Sequence, residues 1–181
     1  MSGLSFRAGT QADIEPVVAL VESTYRGDAS RAGWTTEADL LEGRRTGRDE
    51  IEAILARERS RLLIAEQGGE MIACAHVMVE DGAGYFGMFS VEPRRQGRGL
   101  GTLVLAEAER IVREEWGCAA MRMTVIDVRD ELIAFYERRG YRRTGIKKPF
   151  PYGDARFGLP KRDDLRFEIL EKPLRVEGAS A

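Results

Sequence analysis

The chain has 181 residues, 43% hydrophobic and 32% charged, which is the balance of one soluble globular domain. Its 28 basic and 30 acidic residues leave a net charge of −2, so no overall basic field points to nucleic acid or to an anionic membrane. A single histidine, His76, and two distant cysteines, Cys74 and Cys118, argue against a disulfide framework and predict no metal site.

The opening stretch MSGLSFRAGTQADIEP lacks the apolar run of a signal peptide. No window approaches the roughly 18 apolar residues that a bilayer-spanning helix needs. A cytoplasmic location is therefore expected. A single domain is expected over 1–176, followed by a disordered polar tail at 177–181.

In chain order, Leu4 and Phe6 mark a short first strand at 4–7. Ile14, Val17, Val18, Val21 and Tyr25 then recur at helical spacing, predicting a helix over 13–25 with Asp13 as its cap. A polar, glycine-punctuated stretch follows at 26–47, with a short helix expected at 36–42 behind Thr36, and a further helix at 48–59. Apolar runs at 61–66, 71–80 and 84–91 are separated by QGGE and EDGAG, which is the pattern of antiparallel hairpins. A one-sided apolar helix is predicted over 100–116, a strand over 120–126, and a helix over 130–139 that Gly140 stops. Two more strands, YRRTGI and LRFEILEKPL, flank a Pro/Gly-rich loop. Hairpins followed by a β-α-β unit predict an α/β (α+β) fold, a mixed and mostly antiparallel sheet with helices on both faces.

The stretch VEPRRQGRGLGTLV at 91–104 places glycines at 97, 99 and 101 between a strand and a helix. Glycine there costs roughly 1 kcal/mol of helix or strand propensity relative to alanine, so the backbone must need it. A helix start presents unpaired N–H groups and partial positive charge, and glycine lets an anion approach them. Arg94, Arg95 and Arg98 add charge, so the turn reads as a pyrophosphate cradle. It lacks the lysine of a P-loop and has neither the spacing nor the parallel setting of a dinucleotide fold.

QGRGLG fits Q/R-x-x-G-x-G/A, and downstream MTVIDVRDELIAFYERRGYRRTG carries Y-E-x-x-G-[FY] at Tyr136–Tyr141. The two motifs in this order resemble the GNAT superfamily of acyl-CoA-dependent N-acetyltransferases over about 85–145. The resemblance implies acetyl-CoA as co-substrate, no metal, and direct transfer of the acetyl group to a primary amine, with a homodimer as the family's common assembly. It implies that Phe89, Ser90 and Val91 offer a strand edge to the pantetheine arm, and that a backbone N–H near Val91 polarises the thioester. It places the pyrophosphate on Gly97, Arg98, Gly99, Leu100, Gly101 and Thr102, assisted by the side chain of Gln96 or Arg98. Tyr136 falls where the family's general acid lies, although Leu132 and Ile133 on the same helical face also allow a core ring. Many relatives have an asparagine near the start of this helix; here Arg129 makes a coenzyme contact or is a solvated cap residue.

The base is left open among Asp127, Glu37 and a water chain, His76 being better read as an edge or core residue. Tyr25, Trp34, Glu37 and Tyr152 are expected either to form an aromatic, mildly acidic acceptor wall or, for Trp34 and Tyr152, to pin long loops. Two rival readings are a catalytically silent acyl-CoA sensor and a protein-interaction module.

Overall fold

The computed structural model describes residues 3–175. The tail expected to be disordered lies outside the described residues. Nine strands and four helices follow in order: β1 (Leu4–Ala8), α1 (Ile14–Tyr25), β2 (Leu41–Glu42), α2 (Arg48–Ala56), β3 (Ser60–Gln67), β4 (Glu70–Glu80), β5 (Ala83–Val91), α3 (Leu100–Arg110), β6 (Ala120–Ile126), α4 (Asp130–Glu137), β7 (Arg142–Pro149), β8 (Leu159–Pro160) and β9 (Arg166–Pro173). The main sheet has the order β1-β3-β4-β5-β6-β9-β7, and β2 and β8 form a separate two-stranded ribbon.

Every neighbouring pair in the main sheet is antiparallel except β5 and β6. The central strands are apolar on both sides because both faces are covered. Leu62 and Ile64 of β3 pack with Ile14, Val17, Val21, Ile51 and Ile54 of α1 and α2. Leu63 and Ala65, one residue out of phase, join Val104, Leu105, Ile133 and Tyr136 of α3 and α4 on the opposite face. A third cluster of Leu41, Ile126, Phe150 and Leu165 lies beneath the two long loops.

The expected helix at 36–42 is absent. Leu40 and Leu41 N–H both fall on the Glu37 carbonyl, which makes one turn and no more. Leu41 is then drawn into the third cluster and pairs as β2 with Pro160. This is a tertiary override of a local signal. The helix expected to reach residue 59 ends at Ala56.

Asp13 precedes α1 as expected but does not cap it. Its carboxylate accepts from Arg7 Nη1 and Nη2, at 2.8 and 2.7 Å, and from the Thr10 N–H at 2.7 Å. These partners outweigh burial and hold Asp13 at about 2, below its ordinary 3.8. Asp13→Ala should therefore lower unfolding stability by about 2 kcal/mol at neutral pH, the scale of charge-assisted bonds to one carboxylate. Because the folded pKa is depressed, the difference from wild type should be complete above about pH 5 and shrink progressively as pH falls through about 2. Urea titrations at pH 7 and pH 3 check both parts; an equal difference at the two pH values contradicts the assignment.

Candidate active site

Strands β5 and β6 pair only at Gly84–Met121 and Tyr85–Arg122. Beyond that point the two strands diverge, and the edge of residues 86–91 faces an open wedge. In the same stretch β5 carries a bulge, with Met88 and Phe89 together facing Ala75 of β4. Met88 sits at φ +50°, a left-handed conformation uncommon outside glycine. The bulge turns the Phe89 carbonyl to the Tyr25 hydroxyl, which donates to it. The Val91 carbonyl accepts from Gln96 Nε2 at 3.0 Å and from Thr24 Oγ1 at 3.4 Å. Ser90, between them, pairs with Cys74 of β4 and is fully buried.

The glycine turn lies at the wide end of this wedge. Gly97 and Gly99 both have φ +80°, and an added Cβ at either would meet nothing within 4 Å. The space over these backbone atoms is open, as a cradle for a bulky anion requires. Leu103 N–H is the first of the helix to be taken up, by the Gly99 carbonyl at 3.3 Å, which leaves the N–H groups before it facing the turn. Gly101 is needed for a different reason. A Cβ there would stand 3.0 Å from the Phe89 ring, closing the approach of α3 to β5. Arg98 is exposed beside the turn.

A groove of about 260 Å³ joins these parts, lined by Phe89, Val91, Gly97, Gly99, Gly101 and Thr102, and by Trp34 and Phe135 across it. Arg138 and Arg139, just past the end of α4, also line it. Arg139 stacks on Phe135 at 3.5 Å and donates to Thr102 Oγ1 at 2.9 Å, which puts cationic charge across from the glycines.

Gln96 and Arg129 are both engaged within the protein. Gln96 Oε1 accepts from Trp34 N–H at 2.9 Å and Thr35 N–H at 3.3 Å, while its amide nitrogen holds Thr35 Oγ1 at 2.8 Å and the Val91 carbonyl. It is a staple fixing the long loop onto the end of β5. Arg129 binds Glu37 Oε2 at 3.0 Å and the Thr35 carbonyl. Glu37 Oε1 takes Arg26 Nη1 at 2.5 Å. Burial alone would raise the Glu37 pKa, but Arg129, Arg26 and Arg45 outweigh it and hold the carboxylate ionised.

The expected acceptor wall divides accordingly. Tyr25 and Glu37 come together beside the bulge, but Glu37 is no free acid. Trp34 lies over the groove beside the glycine turn, 5.5 Å from Phe135. Tyr152 packs on Phe150 and accepts the Leu165 N–H at 2.8 Å, so it pins the late loop.

Tyr136 projects from α4 and is only 4% exposed, its ring packed against Phe135 and Tyr141. Among the described residues its hydroxyl has no hydrogen-bond partner. Burial holds the phenol well above its ordinary pKa; Tyr25 and Tyr85 act in the same direction, against the opposing pull of Arg129 and Arg139. The three tyrosines and Arg129 therefore belong to one electrostatic neighbourhood. Tyr85 was not singled out from the sequence, where it reads as one more strand aromatic.

None of the side-chain candidates for a base is free. Asp127 is committed to Lys147 at 3.3 Å and Arg166 at 3.2 Å. His76 bonds Ser60 at 2.9 Å, and burial, with Arg57, lowers it to about 4. Among the described residues, no group of His, Cys, Asp and Glu is arranged to hold a metal ion. No helix there is long and apolar enough to cross a membrane.

No curated protein sequence matches the chain. Three solved structures show how widely its fold recurs. The ribosomal-protein-S18-alanine N-acetyltransferase of Escherichia coli superposes with a TM-score of 0.70 at 17% identity, covering 98% of each chain. The yncA protein of Salmonella typhimurium, solved with its cofactor acetyl-CoA, gives 0.69 at 19% identity over 99% of this chain and 98% of its own. A mutant of the spermidine N-acetyltransferase SpeG from Vibrio cholerae gives 0.69 at 12% identity over 96% and 95%. The sequence profile of the acetyltransferase (GNAT) family matches residues 24–141, which takes in the bulged strand, the glycine turn and Tyr136. With the splayed sheet and the open turn in place, that match settles the membership: the chain belongs to the GNAT family of acetyltransferases.

Proposed function

We propose that the protein transfers the acetyl group of acetyl-CoA directly to a primary amine of a small molecule or peptide. The observation that carries this reading is the open glycine turn at the mouth of the groove, with Tyr136 packed behind the lining residue Phe135. The groove fits the coenzyme: free N–H groups at 97–102 for the pyrophosphate, with Arg98, Arg138 and Arg139 beside them. The free edge of β5 offers Phe89 and Val91 to the pantetheine arm. The Phe89 carbonyl accepts one hydrogen bond and keeps a second lone pair for an added strand, whereas the Val91 carbonyl already accepts two, from Gln96 and Thr24, and would exchange the longer one.

Bound acetyl-CoA supplies the acetyl group as a thioester. A backbone N–H at the end of β5, near Val91, polarises the thioester carbonyl. Tyr136 gives its hydroxyl proton to the departing thiolate sulfur; burial keeps the phenol protonated throughout the working range, while also making it a weaker acid than a free phenol. With Glu37, Asp127 and His76 all engaged, the acceptor ammonium loses one proton to water and attacks as the neutral amine; the second proton, released from its nitrogen as the amide forms and the thiol leaves, returns through water to Tyr136. Cys74, beside Ser90, is fully buried with its thiol pushed up to about 12, and Cys118 is buried next to Trp116, so neither is a poised nucleophile and no acyl-enzyme is required.

The engaged carboxylates favour one second reading, an acyl-CoA sensor without turnover. Calorimetric titration with acetyl-CoA tests the shared premise. Wild type should bind, and Gly99→Glu should lose at least about tenfold in affinity, since it adds bulk and like charge where φ is +80°. Folded wild type that does not bind removes the cofactor assignment. Thiol release with an amine panel then separates the enzyme from the sensor. We further place the protein in the cytoplasm, without a metal, and as a homodimer.

A further inference from the structure

Resting on the acetyltransferase reading above, we propose that the acceptor amine also carries a carboxylate, as an amino acid does, and that Arg45 receives it. Arg45 lies in the loop between β2 and α2, and its guanidinium stands 5.6 Å from the centre of the Tyr25 ring. Arg129 lies 5.9 Å from the same ring. The hydroxyl of that ring donates to the Phe89 carbonyl at the bulge, so both cations flank the point where the sheet opens.

The donor inventory decides the sign of the ligand. Each nearby carboxylate already accepts at least one hydrogen bond from the chain. Glu37 holds Arg26 and Arg129; Glu22 accepts the N–H groups of Arg45 and Thr46; Glu50 accepts the Thr46 hydroxyl at 2.7 Å. Arg45 is the reverse case. Its side chain is 29% exposed, and its nearest carboxylate oxygen, on Glu50, is 3.9 Å away, beyond hydrogen-bond reach. Among the described residues its five N–H donors meet no acceptor. Arg26 adds to the imbalance, since its Nε and Nη2 are buried with no partner.

An ammonium entering here would meet only carboxylates that already hold a partner, whereas a carboxylate would find a planar guanidinium fork with no hydrogen bond of its own, suited to bidentate pairing. The expectation of a mildly acidic wall for a cationic amine is thus reversed.

The test uses matched acceptors that differ only in the carboxylate: alanine with ethylamine, phenylalanine with phenethylamine, methionine with 3-(methylthio)propylamine. Thiol release at saturating acetyl-CoA gives kcat/KM for each, compared per unprotonated amine. The wild type should favour the acid of its best pair by about tenfold or more, the range of a charge-assisted hydrogen bond. Arg45→Met should collapse that ratio towards one, mainly through KM, and Arg45→Lys should restore part of it. Acetylation that favours the decarboxylated partners, or a preference that survives in Arg45→Met, overturns the anion site and leaves acetyl transfer standing. If acetyl-CoA binds without turnover, the same ratio is read from binding of N-acetylphenylalanine against N-acetylphenethylamine in the presence of coenzyme A. Failure to bind acetyl-CoA removes the acetyltransferase reading, and this inference with it.

Discussion

Tyr136→Phe should lower kcat by 10²- to 10⁴-fold, the usual contribution of a positioned general acid, while the affinity for acetyl-CoA stays within about threefold. The substitution is a clean one. Phenylalanine keeps the ring that packs against Phe135 and Tyr141, so the core is undisturbed. The lost hydroxyl leaves no partner unpaired, because it has none among the described residues. A purely structural tyrosine thus predicts nearly unchanged stability and nearly unchanged turnover, and the catalytic reading departs from it only in kcat. The pH profile adds a second readout. With the phenol held protonated and no uncommitted base, kcat/KM should rise with pH along the titration of the acceptor's own amine. Acceptors of different basicity should move that limb correspondingly. A limb fixed at one pH for all acceptors would instead reveal an enzymic base, and turnover within about threefold of wild type would make Tyr136 a core ring only.

Much of this architecture was legible because apolar spacing and turn chemistry are local signals. Strands β3, β4 and β5, the helix from Leu100 and the strand at 120–126 all follow from runs and stripes read within a dozen residues. The glycine turn was legible for a related reason. Positive φ at Gly97 and Gly99 is a backbone demand that the residue type discloses directly.

What could not be read was which partner each polar group would find. Glu37 meets Arg129 across 92 positions of sequence, Gln96 meets Trp34 across 62, and Tyr25 meets Phe89 across 64. Nothing in the spacing of these residues distinguishes a buried pair from a solvated one. The left-handed Met88 was hidden too, since methionine announces no such conformation, and the bulge depends on the pairing of β4 with β5. Arg45 and Tyr85 escaped notice for the same cause: their position beside the wedge comes from the return of a loop and the divergence of two strands.

Glu37→Gln should cost about 3–5 kcal/mol of unfolding free energy, the range for removing one partner from a buried ion cluster. Glu37 and Arg26 are each 7% exposed, and the carboxylate bridges Arg26 to Arg129. Without its charge, two guanidiniums face each other in a low-dielectric site, and one of them already has two unpartnered nitrogens. The pH dependence follows from the direction of the Glu37 shift. Its folded pKa is lowered, so its contribution is present above the ordinary glutamate value and lost as pH falls through the lowered one. The gap between wild type and variant should accordingly narrow on acidification. A triple variant, Arg26→Met, Glu37→Leu and Arg129→Met, removes all the buried charges and should recover much of the stability, because desolvation of the cluster opposes its Coulomb attraction. The triad's specific contribution is to the loop: Arg129 also holds the Thr35 carbonyl, and Gln96 holds the adjoining N–H groups, so Trp34 stays over the donor groove. The triple variant should therefore fold yet bind acetyl-CoA more weakly than wild type. Urea titration and calorimetry on the same preparations separate the two effects. A loss below about 1 kcal/mol for Glu37→Gln would show that water reaches the cluster and that its charges are screened there.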